Sequence, residues 1–357
     1  MSSFWNEFPR IPDDLAQVRR VILDAVQSTN TTVAGALTDY VLRPGKMLRP
    51  AFVILAARAQ IESARRRKKT EVPPKIYRIA AAMEMLHIAT LIHDDVIDNA
   101  DTRRGEATLH KSHGVRTAVL MGDILFSRCF SLVAEDATME NARLIASGVS
   151  RILNGEIAQA ETYDLDRLSI RDYLRRIIAK TALLFSACFH VGAAEAGGKE
   201  NIVAPLRRAG YNIGMGFQII DDILDFKSSQ TRLGKPVGTD LAAGVVTLPV
   251  IMALRAERAA GVREPVHGGS RDRGDVPGRA VTAEASSLHD LIADYDGSVE
   301  RVVPRIESYG GFAKAEKWAG YYSNRARREI ARLPAGPPGS ARATLDAVIN
   351  KLLTRDY

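Results

Sequence analysis

The sequence of 357 residues has only two cysteines, Cys129 and Cys188, and aromatic residues make up only 6% of it. Two cysteines cannot build a disulfide framework or a four-thiolate zinc site, and we expect both to be buried and reduced. The scarcity of aromatic side chains argues against a nucleic-acid platform built on base stacking. The sequence therefore excludes the disulfide-rich secreted class and disfavours a stacking-based nucleic-acid binder.

Long uncharged apolar runs are also missing. No such run reaches eighteen residues, so we predict no membrane span. Residues 1–10 lack the apolar core of a signal peptide, and we expect a cytoplasmic protein. Hydrophobic residues are 46% and charged residues 25%, which is an ordinary globular balance. The net charge of +7 suits anionic ligands but lacks the concentrated basic stripe of duplex binders, so we expect no nucleic-acid partner.

The alternating pattern of strands is absent, and apolar residues recur at helical spacing instead. This predicts an all-α single domain over residues 1–357 with about ten or more helices. The predicted helices cover roughly 13–40, 50–64, 75–98, 117–135, 139–162, 170–195, 201–226, 247–258, 285–307, 311–333 and 340–354. Gly, Arg, Asp and Pro predominate at about 258–285, which we interpret as a flexible insertion. The basic run at 65–69 is either a solvated loop or a phosphate-binding patch, and its place before two prolines favours the loop.

Two acidic clusters of the form D-D-x-x-D carry the strongest chemical signal. They occupy residues 94–98 and 221–225, and each ends a strongly apolar predicted helix. Within each cluster the outer aspartates are four residues apart, so their carboxylates share one helix face. Carboxylates at a helix C-terminus oppose the macrodipole and repel one another, so they call for a cation. Mg²⁺ is the predicted cofactor because it prefers oxygen ligands and is often held by carboxylates together with substrate phosphates. The alternative interpretation is two solvated helix ends.

Basic residues lie near these clusters in the sequence, at Lys46, Arg49, Arg103, Arg104, Lys180 and Lys235. Together with the carboxylates they predict a site that binds diphosphate through metal and through charge-assisted contacts. His87 lies seven residues before Asp94, about 10 Å along the helix axis. A lone histidine on such a helix is usually a core residue, and the neighbouring cluster is what makes His87 a candidate. Neither His87 nor His93 belongs to an H-E-x-x-H zinc pattern.

The segments around the two clusters resemble those of the trans-type polyprenyl diphosphate synthases. Residues 91–98 with the following Arg103-Arg104-Gly105 resemble the first aspartate-rich motif of that family, and residues 216–226 resemble the second. Smaller matches are Gly45-Lys46 with Arg49-Pro50, Gly122-Asp123, Gly155-Glu156, Lys180-Thr181-Ala182, Leu233-Gly234-Lys235 and the ending Arg355-Asp356-Tyr357. The resemblance runs from about residue 13 to the end, apart from the insertion. It implies an isoprenoid-synthase-type bundle of antiparallel helices around a deep central cavity, and a homodimer.

The resemblance also implies a role for each matching residue. Asp94, Asp98 and Asp221 would be direct Mg²⁺ ligands, with Asp95, Asp222 and Asp225 supporting them, and three ions are expected with substrate bound. Lys46, Arg49, His87 and Arg104 would hold isopentenyl diphosphate, and Arg103, Lys180, Thr181, Gln218 and Lys235 an allylic diphosphate. The six aspartates and Lys180 form the predicted catalytic set. The implied reaction is a Mg²⁺-dependent head-to-tail (1'-4) condensation that yields an all-trans polyprenyl diphosphate.

Two further positions bear on the size of the product. Ala89 and Thr90 lie five and four residues before Asp94, where the family uses bulky aromatics to stop growth after a few isoprene units. Both are small here, which predicts a product longer than C20. The alternative is that small residues merely allow close helix packing. One departure lies at Ala243 and Val245, where relatives often carry an acid and a lysine around the glycine, and we expect one weaker phosphate contact.

Three other classes of protein remain alternatives. A terpene cyclase or head-to-head synthase would share the helices and one acidic motif, but not Lys46, Arg49 and a complete second motif. A non-catalytic partner subunit would keep the fold and lose metal ligands, whereas all six aspartates are present here. A helical nucleic-acid binder would not place paired carboxylates on core helices. Prenyl transfer therefore fits the sequence best.

Overall fold

Helical periodicity in the sequence is realised as a long series of helices in a computed structural model, which describes residues 3–27, 31–64, 71–103, 105–160, 165, 168–227, 237–261 and 287–353. The α-helices are α1 (Ile11–Gln27), α2 (Thr31–Leu42), α3 (Leu48–Ser63), α4 (Pro74–Ile97), α5 (Leu109–His113), α6 (Val115–Asp136), α7 (Met139–Ala160), α8 (Ile170–Ile177), α9 (Leu183–Glu195), α10 (Glu200–Lys227), α11 (Thr239–Ala242), α12 (Leu248–Ala259), α13 (Leu288–Ala293), α14 (Val299–Ser308), α15 (Gly311–Ile330) and α16 (Ala341–Leu353). A 3₁₀ turn covers Ser3–Trp5, and a π-helical segment covers Ile178–Ala182. The all-α fold class is confirmed.

Two predicted helices are broken in the structure. The segment at 13–40 forms α1 and α2, and the segment at 285–307 forms α13 and α14. Helix α13 ends at Ala293, and before α14 begins the chain passes through Gly297 at φ +91°, a conformation that glycine adopts readily. The basic run at 65–69 and the centre of the predicted insertion lie outside the described residues.

One small sheet is present, against the expectation of none. β1 (Thr102–Arg103) and β2 (Glu106–Ala107) pair antiparallel, with Arg103 opposite Glu106. Strands of two residues are too short to leave an alternating pattern in the sequence, so this hairpin could not be predicted. It follows the first acidic cluster directly and fixes the course of the chain after α4.

The core has two parts, which α10 joins. The larger part includes α1, α3, α4, α6 and α9, and the smaller part lies among α8, α10 and α12–α15. Helix α4 is buried on most sides, as Ala80, Ala81, Ala82 and Met83 in succession are fully buried. The N-terminal half of α10 packs in the larger core and its C-terminal half in the smaller one. Both cysteines are buried and unbonded, as predicted.

Two described helical segments are long and apolar enough to cross a bilayer by length and composition, Val115–Asp136 and Ile170–Glu195. Each carries charge, at Asp123 and Arg128 in the first and at Lys180 in the second, so a search for uncharged runs passes over them. The first packs along α4, and just over half of the most apolar window in the second is buried in the protein. Core helices of globular proteins commonly have these properties.

Candidate active site

A cavity of about 720 Å³ opens among α1, α4, the π-helical segment and α10, with the loop before α3 forming one wall. Ten of the residues singled out in the sequence line it: Lys46, Arg49, His87, Thr90, Asp94, Arg103, Lys180, Thr181, Gln218 and Asp221. They come from segments far apart in the chain, so only the fold brings them together. The leading aspartates of both acidic clusters therefore reach one cavity together with several cations.

Other predicted site residues are placed differently. Asp95 and Asp222 are buried, Asp98 is exposed at the end of α4, Asp225 is half-buried, and Ala89 is fully buried in the core. None of these five is among the residues that line the cavity. Arg104 and Lys235 lie outside the described residues. Thr90 is thus the one proposed chain-length residue that reaches the cavity, and the role of Ala89 stays a prediction.

The second aspartate of the first cluster, Asp95, holds the cationic side chain of Arg103 in place. Arg103 donates from Nε to Asp95 Oδ1 at 2.7 Å, while Arg103 itself lines the cavity. Burial raises the pKa of Asp95, and the Arg103 guanidinium opposes that rise. Because Arg103 lies in β1, this ion pair also fastens the hairpin to the end of α4. Asp95 therefore positions Arg103 at the cavity wall.

The second cluster sits on a chain of hydrogen bonds. Thr181 donates from its hydroxyl to Gln218 Oε1 at 2.7 Å, and Gln218 donates from Nε2 to Asp222 Oδ1 at 2.8 Å. The Tyr173 hydroxyl donates to the other oxygen of Asp222 at 2.7 Å. Both ends of the Gln218 amide are thereby fixed. Asp222 is not part of the cavity lining, but it holds Gln218 in place, and Gln218 in turn holds Thr181. Both Gln218 and Thr181 line the cavity.

Negative charge is concentrated behind Asp221. Burial, and after it the nearby Asp240 carboxylate, raise the pKa of Asp222 to about 7. Burial and the Asp225 carboxylate, opposed by Lys180, raise the pKa of Asp240 to about 6. Asp225 accepts hydrogen bonds from the Thr239 hydroxyl at 2.6 Å and from the backbone of Asp240 at 3.2 Å. A cation bound at the cavity would relieve this crowding of carboxylates.

The π-helical segment carries Lys180 and Thr181 into the cavity wall. The sequence predicts a continuous helix over 170–195, and the structure interrupts it at Ile178–Ala182. Such π-bulges change the direction of side chains within a helix and occur often at functional sites. Gly214 on α10 lies directly behind this segment, where an added Cβ would come within 2.6 Å of Ala182 Cα. The absence of a side chain at Gly214 is what lets α10 approach so closely.

We predict that Gly214→Ala weakens the binding of the allylic diphosphate that the sequence resemblance assigns to Lys180 and Thr181. The new methyl group must push the π-helical segment away from α10, because its nearest neighbour is backbone. Overpacking of this kind costs about 1–3 kcal/mol of stability. Because the displaced segment carries Lys180 and Thr181, a shift of about 1 Å should also lower kcat/KM for that diphosphate by about 10-fold or more. The measurement is steady-state kinetics with each diphosphate varied in turn. Gly148→Ala on α7 is the matched control, since its Cβ would meet nothing within 4 Å. An unchanged KM for the allylic diphosphate would contradict this account.

The loop before α3 holds a strained residue between two predicted phosphate ligands. Met47 has φ +47° and ψ 47°, a left-handed conformation that costs a non-glycine residue of order 1–3 kcal/mol. Trp5 Nε1 donates to the Lys46 carbonyl, and an Arg19 nitrogen lies 3.7 Å from the Met47 sulfur. These contacts compensate the strain and set the direction of the backbone at Lys46. The Arg49 guanidinium lies 5.1 Å from the centre of the Phe185 ring.

Several site residues were missed by reasoning from the sequence. Arg19, Tyr40 and Arg43 also line the cavity. Arg43 pairs with Glu106 at 2.7 Å and donates to the Ala107 carbonyl at 3.1 Å, which ties this loop to the hairpin. Arg43 directly precedes Pro44-Gly45-Lys46, and this position in the sequence could have marked Arg43 as a candidate site residue. Tyr173 and Asp240 left none, because their link to the second cluster depends on long-range packing.

The donors at the cavity fit a divalent cation that is shared with a ligand. Within the described ranges, no group of three His, Cys, Asp or Glu side chains is arranged to hold a metal ion alone. Asp94 and Asp221 instead offer carboxylate oxygens from two helices, beside Lys46, Arg49 and Lys180. Mg²⁺ commonly binds through one or two carboxylates and completes its shell with water and phosphate oxygens. The arrangement therefore suits a metal that arrives with a phosphorylated ligand.

Comparisons with known proteins agree with this chemistry. A family model described as polyprenyl synthetase matches residues 31–278. The chain is 42% identical over 249 residues to heptaprenyl diphosphate synthase component 2 of Geobacillus stearothermophilus. The matched region covers 70% of this chain and 75% of that protein. It is 32% identical over 308 residues to octaprenyl diphosphate synthase of Haemophilus influenzae, covering 85% and 90%. A solved polyprenyl synthase of Caulobacter crescentus, complexed with calcium and isoprenyl diphosphate, superposes with a TM-score of 0.77 at 30% identity, covering 96% and 95%.

Fold, site and relatives together define an all-α prenyltransferase. The chain belongs to the polyprenyl synthetase family. The family predicted from the two acidic motifs is thereby confirmed, and so is the prediction of an enzyme that transfers prenyl groups.

Proposed function

We propose that this chain condenses isopentenyl diphosphate head-to-tail with an allylic diphosphate and yields an all-trans polyprenyl diphosphate longer than C20. The observation that carries the proposal is the meeting of Asp94 and Asp221 at one cavity with Lys46, Arg49 and Lys180. Two helices thus present carboxylates to the same space that the cations line. The names of the relatives, heptaprenyl and octaprenyl diphosphate synthase, support a medium or long product.

The cations divide into two proposed diphosphate sites. Lys46, Arg49 and His87 would hold isopentenyl diphosphate, and Arg103, Lys180, Thr181 and Gln218 the allylic diphosphate. Arg104 would join the first set and Lys235 the second, as the sequence resemblance implies. Charge-assisted hydrogen bonds to phosphate oxygens are about twice as strong as neutral ones, so each set can orient its diphosphate.

Asp94, Asp98 and Asp221 would hold Mg²⁺. With substrate bound, the proposed site contains three Mg²⁺ ions. When bound, the metal stabilises the negative charge that develops on the leaving diphosphate. Asp95, Asp222 and Asp225 support the site from behind, through Arg103, Gln218 and the Thr239 hydroxyl. Asp95 and Asp222 thereby fix the positions of Arg103 and Gln218, which line the cavity and would touch substrate.

The remaining chemistry follows from the residues of the chain. Lys180 and Arg103 stabilise the leaving diphosphate as the allylic carbon–oxygen bond breaks. The double bond of isopentenyl diphosphate attacks the resulting allylic cation, a new carbon–carbon bond forms, and one proton leaves. The released diphosphate is the proposed base for that proton. Ile22, Ile88, Leu91 and Phe217 line the same cavity and exclude water from the cation.

The proposal is tested by incubating the purified full-length chain with labelled isopentenyl diphosphate and an allylic primer, with and without magnesium. We expect labelled products longer than C20 that require magnesium and vanish with EDTA. Products that stop at C15 or C20 would refute the chain-length part. A fully magnesium-replete enzyme without any product would refute prenyl transfer by this chain alone. Since the Geobacillus relative is named as one component, activity restored only by a second protein would identify a two-component synthase.

We also propose a homodimer built on α6 and α7. Among the described residues nine large hydrophobic side chains are exposed, and six of them lie on these two helices or at their ends: Val115, Leu120, Phe130, Met139, Leu153 and Ile157. Exposed apolar side chains in such numbers are typical of a subunit interface.

The buried free cysteines are compatible with the reducing conditions of the cytoplasm, where we place the protein.

The dimer makes a direct prediction. Leu153→Glu/Ile157→Glu should convert a dimer into a monomer, because two carboxylates would be buried unpaired at the interface. Light scattering coupled to size exclusion measures the mass. Leu42→Glu at the end of α2 is the control that changes another exposed leucine. If the double variant has the mass of the unmodified dimer, these helices do not form the interface.

A further inference from the structure

A second groove, which shares no lining residue with the active-site cavity, lies beside α10. It has a volume of about 640 Å³ and runs along α15, with α10 and α12 forming its other walls. Tyr211, Met252, Trp318, Tyr321 and Tyr322 supply its apolar surface, and Lys314, Lys317 and Arg325 supply charge. Among the described residues, none of the acidic clusters and none of the proposed diphosphate ligands lines this groove.

The side chains follow one stripe of α15. Lys314, Trp318, Tyr321, Arg325 and Arg328 succeed one another at intervals of four and three residues, so they share a helix face about 21 Å long. The rings pack against each other, with Tyr321 and Tyr322 centroids 5.3 Å apart and Trp318 and Tyr322 centroids 6.2 Å apart. Arg325 donates to the Tyr321 hydroxyl at 2.7 Å. The aromatic groups are therefore held in place.

The charge of this face is of one sign. No carboxylate is among the described residues that line the groove. The two acids of α15 are engaged elsewhere, Glu316 with Lys227 at 2.8 Å and Glu329 with Arg208 at 3.0 Å. Tyr321 is 50% exposed, and Lys317 and Arg325 are exposed as well. A cationic face with ordered tryptophan and tyrosine is left facing outward.

We propose that this face of α15 docks on an anionic lipid bilayer. Trp and Tyr are the residues that favour the headgroup level of a membrane, and Lys and Arg are attracted to anionic headgroups. A fluid bilayer can adapt to the groove, so docking requires only an outward face of this composition. Docking would also bring the enzyme to the phase in which a long polyprenyl chain dissolves, although the proposal stands on the residues of the groove alone. In this arrangement α15 would lie at the surface of the membrane, at the level of the headgroups.

The test uses the full-length protein and sedimentation with vesicles. We expect binding to vesicles of equal phosphatidylcholine and phosphatidylglycerol, weak binding to phosphatidylcholine alone, and release by high salt. Each basic residue near such a surface contributes about fivefold, or ~1 kcal/mol. Lys317→Glu/Arg325→Glu should therefore weaken partition at least about 25-fold. The matched control is Lys199→Glu/Arg171→Glu, which makes the same charge change at exposed positions outside the groove.

Fluorescence locates the contact. The chain has two tryptophans, and Trp5 is only 1% exposed, so brominated lipid should quench the emission of Trp318. Trp318→Phe should abolish the quenching. Prenyl transfer in detergent, without vesicles, should be the same for the groove variant and the unmodified chain, which separates this proposal from the proposed catalytic function. Equal vesicle binding by the groove and control variants would overturn it, and so would binding without quenching or no binding to anionic vesicles at all.

Discussion

Asp94→Asn and Asp221→Asn should each lower kcat by about 10²–10³-fold, the loss seen when one group that stabilises transition-state charge is removed. The change keeps the size of the side chain and removes its negative charge. Both residues line the cavity from different helices, so each should also raise the magnesium concentration needed for half-maximal rate. Magnesium titrations of the steady-state rate measure both effects.

The two variants should not act independently. If the carboxylates serve one metal-bound diphosphate, the double variant loses less than the product of the single losses. Asp346→Asn on α16 is the control, because its carboxylate is exposed and remote from the cavity lining. The midpoint of thermal unfolding should be nearly unchanged in Asp94→Asn, Asp221→Asn and the Asp346→Asn control. Rates within twofold of the unmodified enzyme for Asp94→Asn or Asp221→Asn would remove that residue from the metal site.

Thr90→Phe should shorten the product. Thr90 lines the cavity four residues before Asp94, so an aromatic ring there would occupy space that the growing chain needs. We expect the main product to lose several isoprene units while the first condensation remains. Thin-layer or mass-spectrometric sizing of the dephosphorylated products gives the answer. A product distribution identical to that of the unmodified chain would exclude Thr90 from the wall.

Ala89→Phe distinguishes packing from a wall. Ala89 is fully buried in the core and does not line the cavity, so the ring must be accommodated among packed side chains. Overpacking there should cost about 1–3 kcal/mol of unfolding free energy. Thr90→Phe should keep its thermal midpoint and Ala89→Phe should lower it. A shorter product from Ala89→Phe without loss of stability would instead support the role that the resemblance implies for Ala89.

Much of the site could be predicted because its signals are local. Asp94 and Asp221 each begin a D-D-x-x-D segment on an apolar helix, and this local pattern marks both residues as candidates. Helix geometry alone predicts that the first and last aspartates of each segment, four residues apart, share one face. Asp240 and Tyr173 could not be found in this way. Tyr173 lies forty-nine residues before Asp222, and only the packing of α8 against α10 joins them.

The fold was predictable to a similar extent. Helical periodicity identifies α4, α6 and α10 to within a few residues. The π-helical segment at Ile178–Ala182 leaves no trace in that periodicity, since it shifts the hydrogen-bond partner and not the residue type. The break between α13 and α14 contains Asp296-Gly297, a dipeptide typical of turns, but a helix can also tolerate an isolated glycine.

Helix α10 has a consequence for how the molecule melts. Ile213 lies in the larger part of the core and Met215, two residues later, lies in the smaller part, so one continuous helix packs in both. If the packing of either part were lost, α10 and the aspartates of the second cluster near its C-terminal end would lose their positions. We therefore expect calorimetry to show a single cooperative transition, with activity and ellipticity disappearing at the same temperature.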